Sequence, residues 1–220
     1  VGYRDAPDGH LGSFRSVHAA APPGVLAAAL AWMVALFVTR KPDKERVQRV
    51  DLHEGGLKFW REEIVESVVW RDVEEVHADT ADVWFGSTLA RPVPVTAPLR
   101  LKCHDGARHE LSPRLAGATE LFAVVIARCS RGLLTECRAS LAEGGALTFG
   151  PVSLTNVELC VREKRLPLAE LVMVSMRPDH LVFARKGADR PWASVRYDEL
   201  PHVALLVALL PARALPANVW

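Results

Sequence analysis

Apolar residues fall into three patterns along the chain. From Ala19 to Thr39 no charge interrupts them. This run is apolar on every side, which excludes an amphipathic surface helix and predicts a hydrophobic helix over residues 24–39. From Val47 onward the pattern shortens and alternates. Val50 and Leu52 lead into Glu54-Gly55-Gly56, a turn signal, and Leu57–Trp60 reads as the next strand. Val73 and Val76 follow. Arg91–Pro98 is spaced by prolines and reads as a loop or an edge. The third pattern is helical: Phe122, Val125, Ile126 and Cys129 recur at i, i+3, i+4 and i+7. Ser112-Pro113 is a helix-start pair that Gly117 can delay, and Gly132 reads as the stop.

The segment Leu99–Leu111 predicts a hairpin with a definite register. A two-residue Asp105-Gly106 turn would put its apolar residues on opposite faces. A three-residue loop, His104-Asp105-Gly106, pairs Leu99 with Leu111 and gives one apolar face.

The plan then repeats. Leu133–Leu141 and Ala146–Phe149 read as strands around Glu143-Gly144-Gly145, and Val152–Val161 is strongly β-prone. Val172–Met176 and Leu181–Ala184 flank a Pro178-Asp179 turn, and Gly187 turns the chain into Trp192–Tyr197. Pro201 opens a helix with Val203, Leu206, Val207 and Leu210 on one stripe, and Pro211 ends it. Several strands and then one helix, twice over, is an α+β internal repeat of roughly 85–100 residues. The expected organisation is a flexible arm over 1–23, the hydrophobic helix over 24–39, domains over 45–131 and 132–212, and a tail over 213–220. Val1 in place of an initiator Met leaves open an upstream piece.

One corner is used twice. Val69-Trp70-Arg71-Asp72-Val73 and Pro167-Leu168-Ala169-Glu170-Leu171 share a large apolar residue, a spacer, an acid and an aliphatic. Trp70 and Leu168 are expected in matching, largely buried positions that cap a curled sheet. Asp72 and Glu170 are expected to satisfy backbone N–H groups of a tight turn. The reading is structural, not chemical.

Charge sharpens the first pattern. Arg40, Lys41, Lys44, Arg46 and Arg49 follow the apolar run, whereas Arg4 and Arg15 precede it. A bilayer span needs about 17–25 residues, which this run reaches only with Ala19–Pro23 counted. The basic flank is that of a stop-transfer segment rather than a cleavage site. It places residues 40–220 on the cytoplasmic side of a cell membrane. A buried helix or a cleaved signal are the rival readings. With 27 Lys+Arg against 26 Asp+Glu there is no global drive toward nucleic acid. Four cysteines at 103, 129, 137 and 160 match no zinc spacing and are expected as free thiols.

Strands closed by one C-terminal helix, with Glu54-Gly55-Gly56-Leu57, Val69-Trp70-Arg71-Asp72-Val73 and Asp105-Gly106, resemble bacterial membrane-attached pleckstrin-homology-like (PH-like) proteins. The second half, with Phe149-Gly150, Asn156-Val157, Leu166–Leu171, Trp192-Ala193 and Leu200-Pro201, is similar to the second repeat of an uncharacterised family of that kind. Leu168 stands where that family usually has Trp, and Asn156 where Gly is usual. The resemblance spans about 45–212 and implies two tandem PH-like sheets or barrels behind an N-terminal membrane helix, with no known activity.

Catalytic frames are not found: no G-x-S-x-G, no phosphate-binding glycine loop. Cys103 and His104, as neighbours on a strand, point to opposite faces, so with His109 they are not expected to hold a metal, and no cofactor is expected. Glu62-Glu63 and Glu74-Glu75 read as solvated faces. Arg162, Lys164 and Arg165, with Arg185 and Lys186, form basic clusters able to meet anionic lipid headgroups. The leading expectation is a non-enzymatic membrane-anchored binding module for protein or lipid. A soluble or exported module and an enzyme with an unrecognised site are the alternatives.

Overall fold

The structure is a computed structural model and describes residues 14–19, 49–61, 63–85 and 94–211. The hydrophobic segment 24–39 and the tail 213–220 lie outside the described residues. Among the described residues no helix is long and apolar enough to cross a membrane. The fold is α+β, with several open antiparallel sheets, and no sheet among the described residues closes into a barrel. Two compact units divide the chain: Val1–Trp70 with Arg114–Ala118, and Arg71–Pro113 with Thr119–Trp220.

The first unit holds a four-stranded antiparallel meander, β1 (Phe14–Ala19), β2 (Arg49–His53), β3 (Gly56–Arg61) and β4 (Ile64–Val69). β1 places a strand within residues 1–23, which the sequence reads as a flexible arm. Its partner, β2, lies some thirty residues away in sequence, beyond the reach of local periodicity. Alternation sorts the faces of β2–β4. Val50 faces Phe59 and Leu52 faces Leu57, which faces Val68, and all five are buried. On the other face Asp51 is buried but paired: Arg49 donates to it at 2.7 and 3.0 Å and the Trp60 indole at 2.9 Å. The Arg49 guanidinium lies over the Trp60 ring, 5.1 Å from its centre. A buried carboxylate is tolerated here because its oxygens are filled.

In the second unit β5 (Val73–Ala78), β6 (Leu99–Cys103) and β7 (Arg108–Leu111) form a three-stranded sheet, with the short helix α1 (Ala81–Phe85) after β5. Leu99 pairs with Leu111 around the loop 104–106, and Gly106 takes φ +84°, as the hairpin pattern predicts. Pro94–Pro98 is loop.

Helix α2 (Ala118–Ala142) begins after Gly117 and buries Leu121, Phe122, Val125, Ile126 and Cys129. It corrects two expectations, since it passes through Gly132 and takes in Leu133–Leu141, which were read as a strand. One glycine costs a helix about 1 kcal/mol, and the strong helix formers Leu133, Leu134, Glu136, Arg138 and Leu141 outweigh it. The stop is Glu143-Gly144-Gly145. Gly145 N–H donates to Ser140 C=O at 2.8 Å and Gly144 N–H to Leu141 C=O at 3.1 Å, with Gly144 at φ +84°. This is a Schellman motif. Residue 132, the expected domain boundary, therefore lies inside a helix.

The remaining elements are a four-stranded sheet, β8 (Leu147–Phe149), β9 (Val152–Leu154), β10 (Glu158–Val161) and β11 (Lys164–Pro167), then a three-stranded one, β12 (Leu171–Met176), β13 (His180–Arg185) and β14 (Ala193–Arg196). Helix α3 (Val203–Leu209) closes the order. Four strands, a 3-10 turn, three strands and a helix thus occur in succession twice. Gly150 in the β8–β9 turn has φ +57°, and a Cβ there would stand 2.1 Å from the Glu199 carbonyl oxygen, so only glycine fits.

Candidate functional site

Both corners are three-residue 3-10 turns, Trp70–Asp72 before β5 and Leu168–Glu170 before β12. Their backbone bonds correspond. Trp70 N–H donates to Gly55 C=O at 3.0 Å, and Leu168 N–H to Val157 C=O at 2.8 Å. At the far end Asp72 C=O accepts from His104 N–H at 3.0 Å, and Glu170 C=O from Lys186 N–H at 2.8 Å. Backbone carbonyls, not the expected carboxylates, satisfy those N–H groups. The carboxylates turn outward, Asp72 toward Arg71 at 3.6 Å and Glu170 onto Arg185 at 2.7 Å. Trp70 and Leu168 are half-buried rather than largely buried. The Trp70 indole N–H reaches Glu54 C=O at 2.8 Å, and that bond keeps one ring edge at the surface.

The five basic residues singled out in the sequence lie in two places of the second unit, Arg162, Lys164 and Arg165 in the β10–β11 turn and the start of β11, and Arg185 and Lys186 at the end of β13. Arg162 sits in the β10–β11 turn with φ +54°, and its guanidinium donates to both Glu199 oxygens at 3.0 and 2.9 Å. Arg165 faces Glu158 at 3.8 Å, and Arg185 holds Glu170. Lys164 Nζ donates to the Trp192 carbonyl at 3.4 Å. Lys186 follows β13, its N–H on Glu170. Arg162 and Lys164 flank a cleft of about 530 Å³ whose opposite wall is Pro191–Ser194. Trp192, half-buried in that wall, is a residue that sequence reasoning passed over. Its signal was an aromatic beside Pro191 at a hairpin end.

A second groove of about 370 Å³ lies over the outward face of β5–β7. The ladder places His77, Arg100 and Glu110 in one row and Glu75, Lys102 and Arg108 in the next. Lys102 Nζ lies 2.8 Å from Glu75 and 3.1 Å from Glu74, and His77 Nε2 lies 2.7 Å from Glu75. The bond from Lys102, then that from His77, holds the Glu75 carboxyl below its usual value, and Glu75 in turn raises Lys102. Arg100 pairs with Asp79. Arg100, Lys102, Arg108 and Glu110 were the polar positions of the predicted hairpin, whereas Glu75 and His77 join them only through the pairing of β5 with β6.

Cys103 and His109 are buried, whereas His104 is exposed in the loop. Burial, then the Asp105 and Asp72 charges, push the Cys103 thiol up to about 11. Burial pushes Cys129 up to about 12. Such thiols stay protonated and unreactive at neutral pH. Among the described residues no three His, Cys, Asp or Glu side chains are grouped as metal ligands would be.

His202 was also missed. It is buried, left-handed at φ +51°, and joins α3 to β5. Its N–H donates to Val76 C=O at 2.9 Å, and its Nε2–H to Glu74 C=O at 2.9 Å. Burial pushes this imidazole below its ordinary value.

Residues 14–215 match a family of unknown function, DUF6585, and the chain belongs to that family. No curated protein matches the chain.

Proposed function

We propose that this chain is a non-enzymatic binding module of two tandem PH-like units, held on the cytoplasmic face of a membrane by residues 24–39, which enter the bilayer without crossing it because the pairing of β1 with β2 keeps both flanks on one side. In this reading the cleft beside Trp192 takes an anionic lipid headgroup. The observation that carries it is the cleft itself. Lys164 and Arg162, with Glu163 between them, stand on one wall and a half-buried indole on the other, so a phosphate-bearing headgroup would find two cations beside an apolar shelf. The repeated succession of four strands, 3-10 turn, three strands and helix supports the PH-like reading. Anchoring is supported by the uncharged run from Ala19 to Thr39 and its basic flank.

Two measurements test the parts separately. Under carbonate extraction the full chain is expected to stay with membranes, and recovery in the soluble fraction overturns the anchor. Co-sedimentation of a variant in which residues 24–39 are replaced by a glycine–serine linker, which keeps β1 beside β2, tests the cleft with phosphatidylserine vesicles against phosphatidylcholine vesicles. Binding to the anionic vesicles alone is expected, and Lys164→Glu should weaken it several-fold, since each basic residue near such a surface is worth about 1 kcal/mol. Equal binding to both vesicles, or none, overturns the headgroup reading.

A further inference from the structure

The cleft between the β10–β11 turn and Pro191–Ser194 carries an acid as well as cations. Arg162, Glu163 and Lys164 follow one another along its first wall, so that wall reads positive, negative, positive. All three residues are exposed. Much of their charge is left open. Among the described residues Glu163 makes no hydrogen bond or ion pair. Among the same residues Lys164 Nζ meets no carboxylate and donates only to the Trp192 carbonyl, at 3.4 Å. Arg162 gives one nitrogen, Nη2, to Glu199 and keeps Nε and Nη1.

The opposite wall is fixed. Trp192 N–H donates to Phe183 C=O at 2.8 Å, and its indole lines the cleft. An aromatic face attracts a cation. An ammonium in this cleft therefore meets a carboxylate on one side and an indole on the other. For a plain phosphate the same carboxylate is a repelling charge. Glu163 is thus the residue that separates one anionic ligand from another.

We propose that the cleft selects the serine headgroup among anionic phospholipids. This rests on the headgroup reading above and adds which headgroup is taken. A serine headgroup carries a phosphate, an ammonium and a carboxylate, the negative, positive, negative complement of the wall. Its ammonium donates to Glu163, and its two anionic groups accept from Lys164 and the remaining nitrogens of Arg162. A glycerol headgroup brings the phosphate alone and sets it against Glu163. A choline headgroup has no N–H to donate. A phosphoserine within a polypeptide lacks the free ammonium and carboxylate, so a lipid is the occupant. The cleft, about 530 Å³, is of a size that holds small ligands.

The test is co-sedimentation of the glycine–serine linker variant with two sets of vesicles of equal negative charge, phosphatidylserine or phosphatidylglycerol, each diluted in phosphatidylcholine. A preference for the serine lipid of about threefold to fivefold is expected, the worth of one exposed charge pair. Glu163→Gln should abolish it by weakening binding to serine vesicles and strengthening binding to glycerol vesicles. A loss of fold cannot produce that opposite movement. Glu136→Gln makes the same change of charge at an exposed position of α2 and should leave the preference intact. A second arm titrates the full chain in mild detergent with glycerophosphoserine and with glycerophosphoglycerol, by calorimetry. Heat from the serine compound alone is expected, with weaker binding than to vesicles. Tighter binding of the soluble compound would overturn the lipid as the source. Equal binding to serine and glycerol vesicles, with both above phosphatidylcholine, overturns the selection and leaves the anionic-headgroup reading standing. Binding no better than to phosphatidylcholine overturns both. A preference that survives Glu163→Gln overturns the selection as well.

Discussion

The segment Trp70–Ala78 and the segment Leu168–Met176 run through the same backbone moves with different side chains. Each begins with a 3-10 turn whose first N–H and last carbonyl are hydrogen-bonded to neighbouring turns, and each continues as an outer strand bulged at its second residue. The first carries Trp70 with an indole bond to Glu54, charged Glu74 and Glu75, and a cap from His202. The second carries Leu168, uncharged Val172 and Met173, and an ion pair from Glu170 to Arg185. The difference teaches that a corner's geometry resides in its backbone bonds. The side chains decide what lies beside the strand that follows.

Removing the cap on β5 is the strongest way to break this comparison. His202→Ala should cost about 3 kcal/mol, combining a lost buried hydrogen bond, an unfilled Glu74 carbonyl and a cavity. Urea denaturation measures it. A loss below about 1 kcal/mol would mean that β5 does not depend on this cap.

His202 also predicts a pH dependence. Burial holds its folded-state value below that of the unfolded chain. The unfolded chain therefore takes up the proton first as pH falls, so the stability present above about pH 6.5 declines below it. The titratable groups on β5 nearest the imidazole act on it in opposite directions, His77 lowering its value and Glu75 raising it. Its Nδ1 is buried with no partner among the described residues. In His202→Ala this part of the slope should vanish, and an unchanged slope would assign it elsewhere.

Trp70→Leu gives the first corner the residue of the second. It should cost about 1 kcal/mol, the value of the indole bond to Glu54, by the same urea measurement. No loss would make the corner's stability purely a backbone matter. Glu170→Gln should change stability by less than about 0.5 kcal/mol, because the Glu170 and Arg185 side chains are both solvent-accessible. A larger loss would give the second corner a side-chain lock of its own.

Local chemistry made much of this legible from residues alone. The Leu99–Leu111 register followed from putting apolar residues on one face, and the structure pairs those two residues. Glu-Gly-Gly is the instructive failure. At 54–56 it turns one strand into the next, and at 143–145 it ends a helix. The tripeptide says only that the chain changes direction. What it interrupts depends on the residues before it, and Leu133–Ala142 continue a helix whose start is fixed by a buried stripe from Leu121 to Cys129. In the candidate cleft, the cations at 162 and 164 were visible as a cluster, whereas Trp192 joins them only because β14 folds back beside β13.

The sequence by itself determined the faces of the strands, the hairpin loop, the two corners and the helical stripe. Each of those depends on periodicities of two or 3.6 residues, or on a turn residue's own dihedral preferences, all of which act over a few neighbours. Tertiary structure decided what no neighbour encodes: that Phe14–Ala19 finds β2, that His202 closes β5 from 128 residues away, and that among the described residues no second strand flanks β12 on its outer side. The reason is that an outer strand's unfilled carbonyls look alike along the chain. Only the packed fold selects which of them receive a donor.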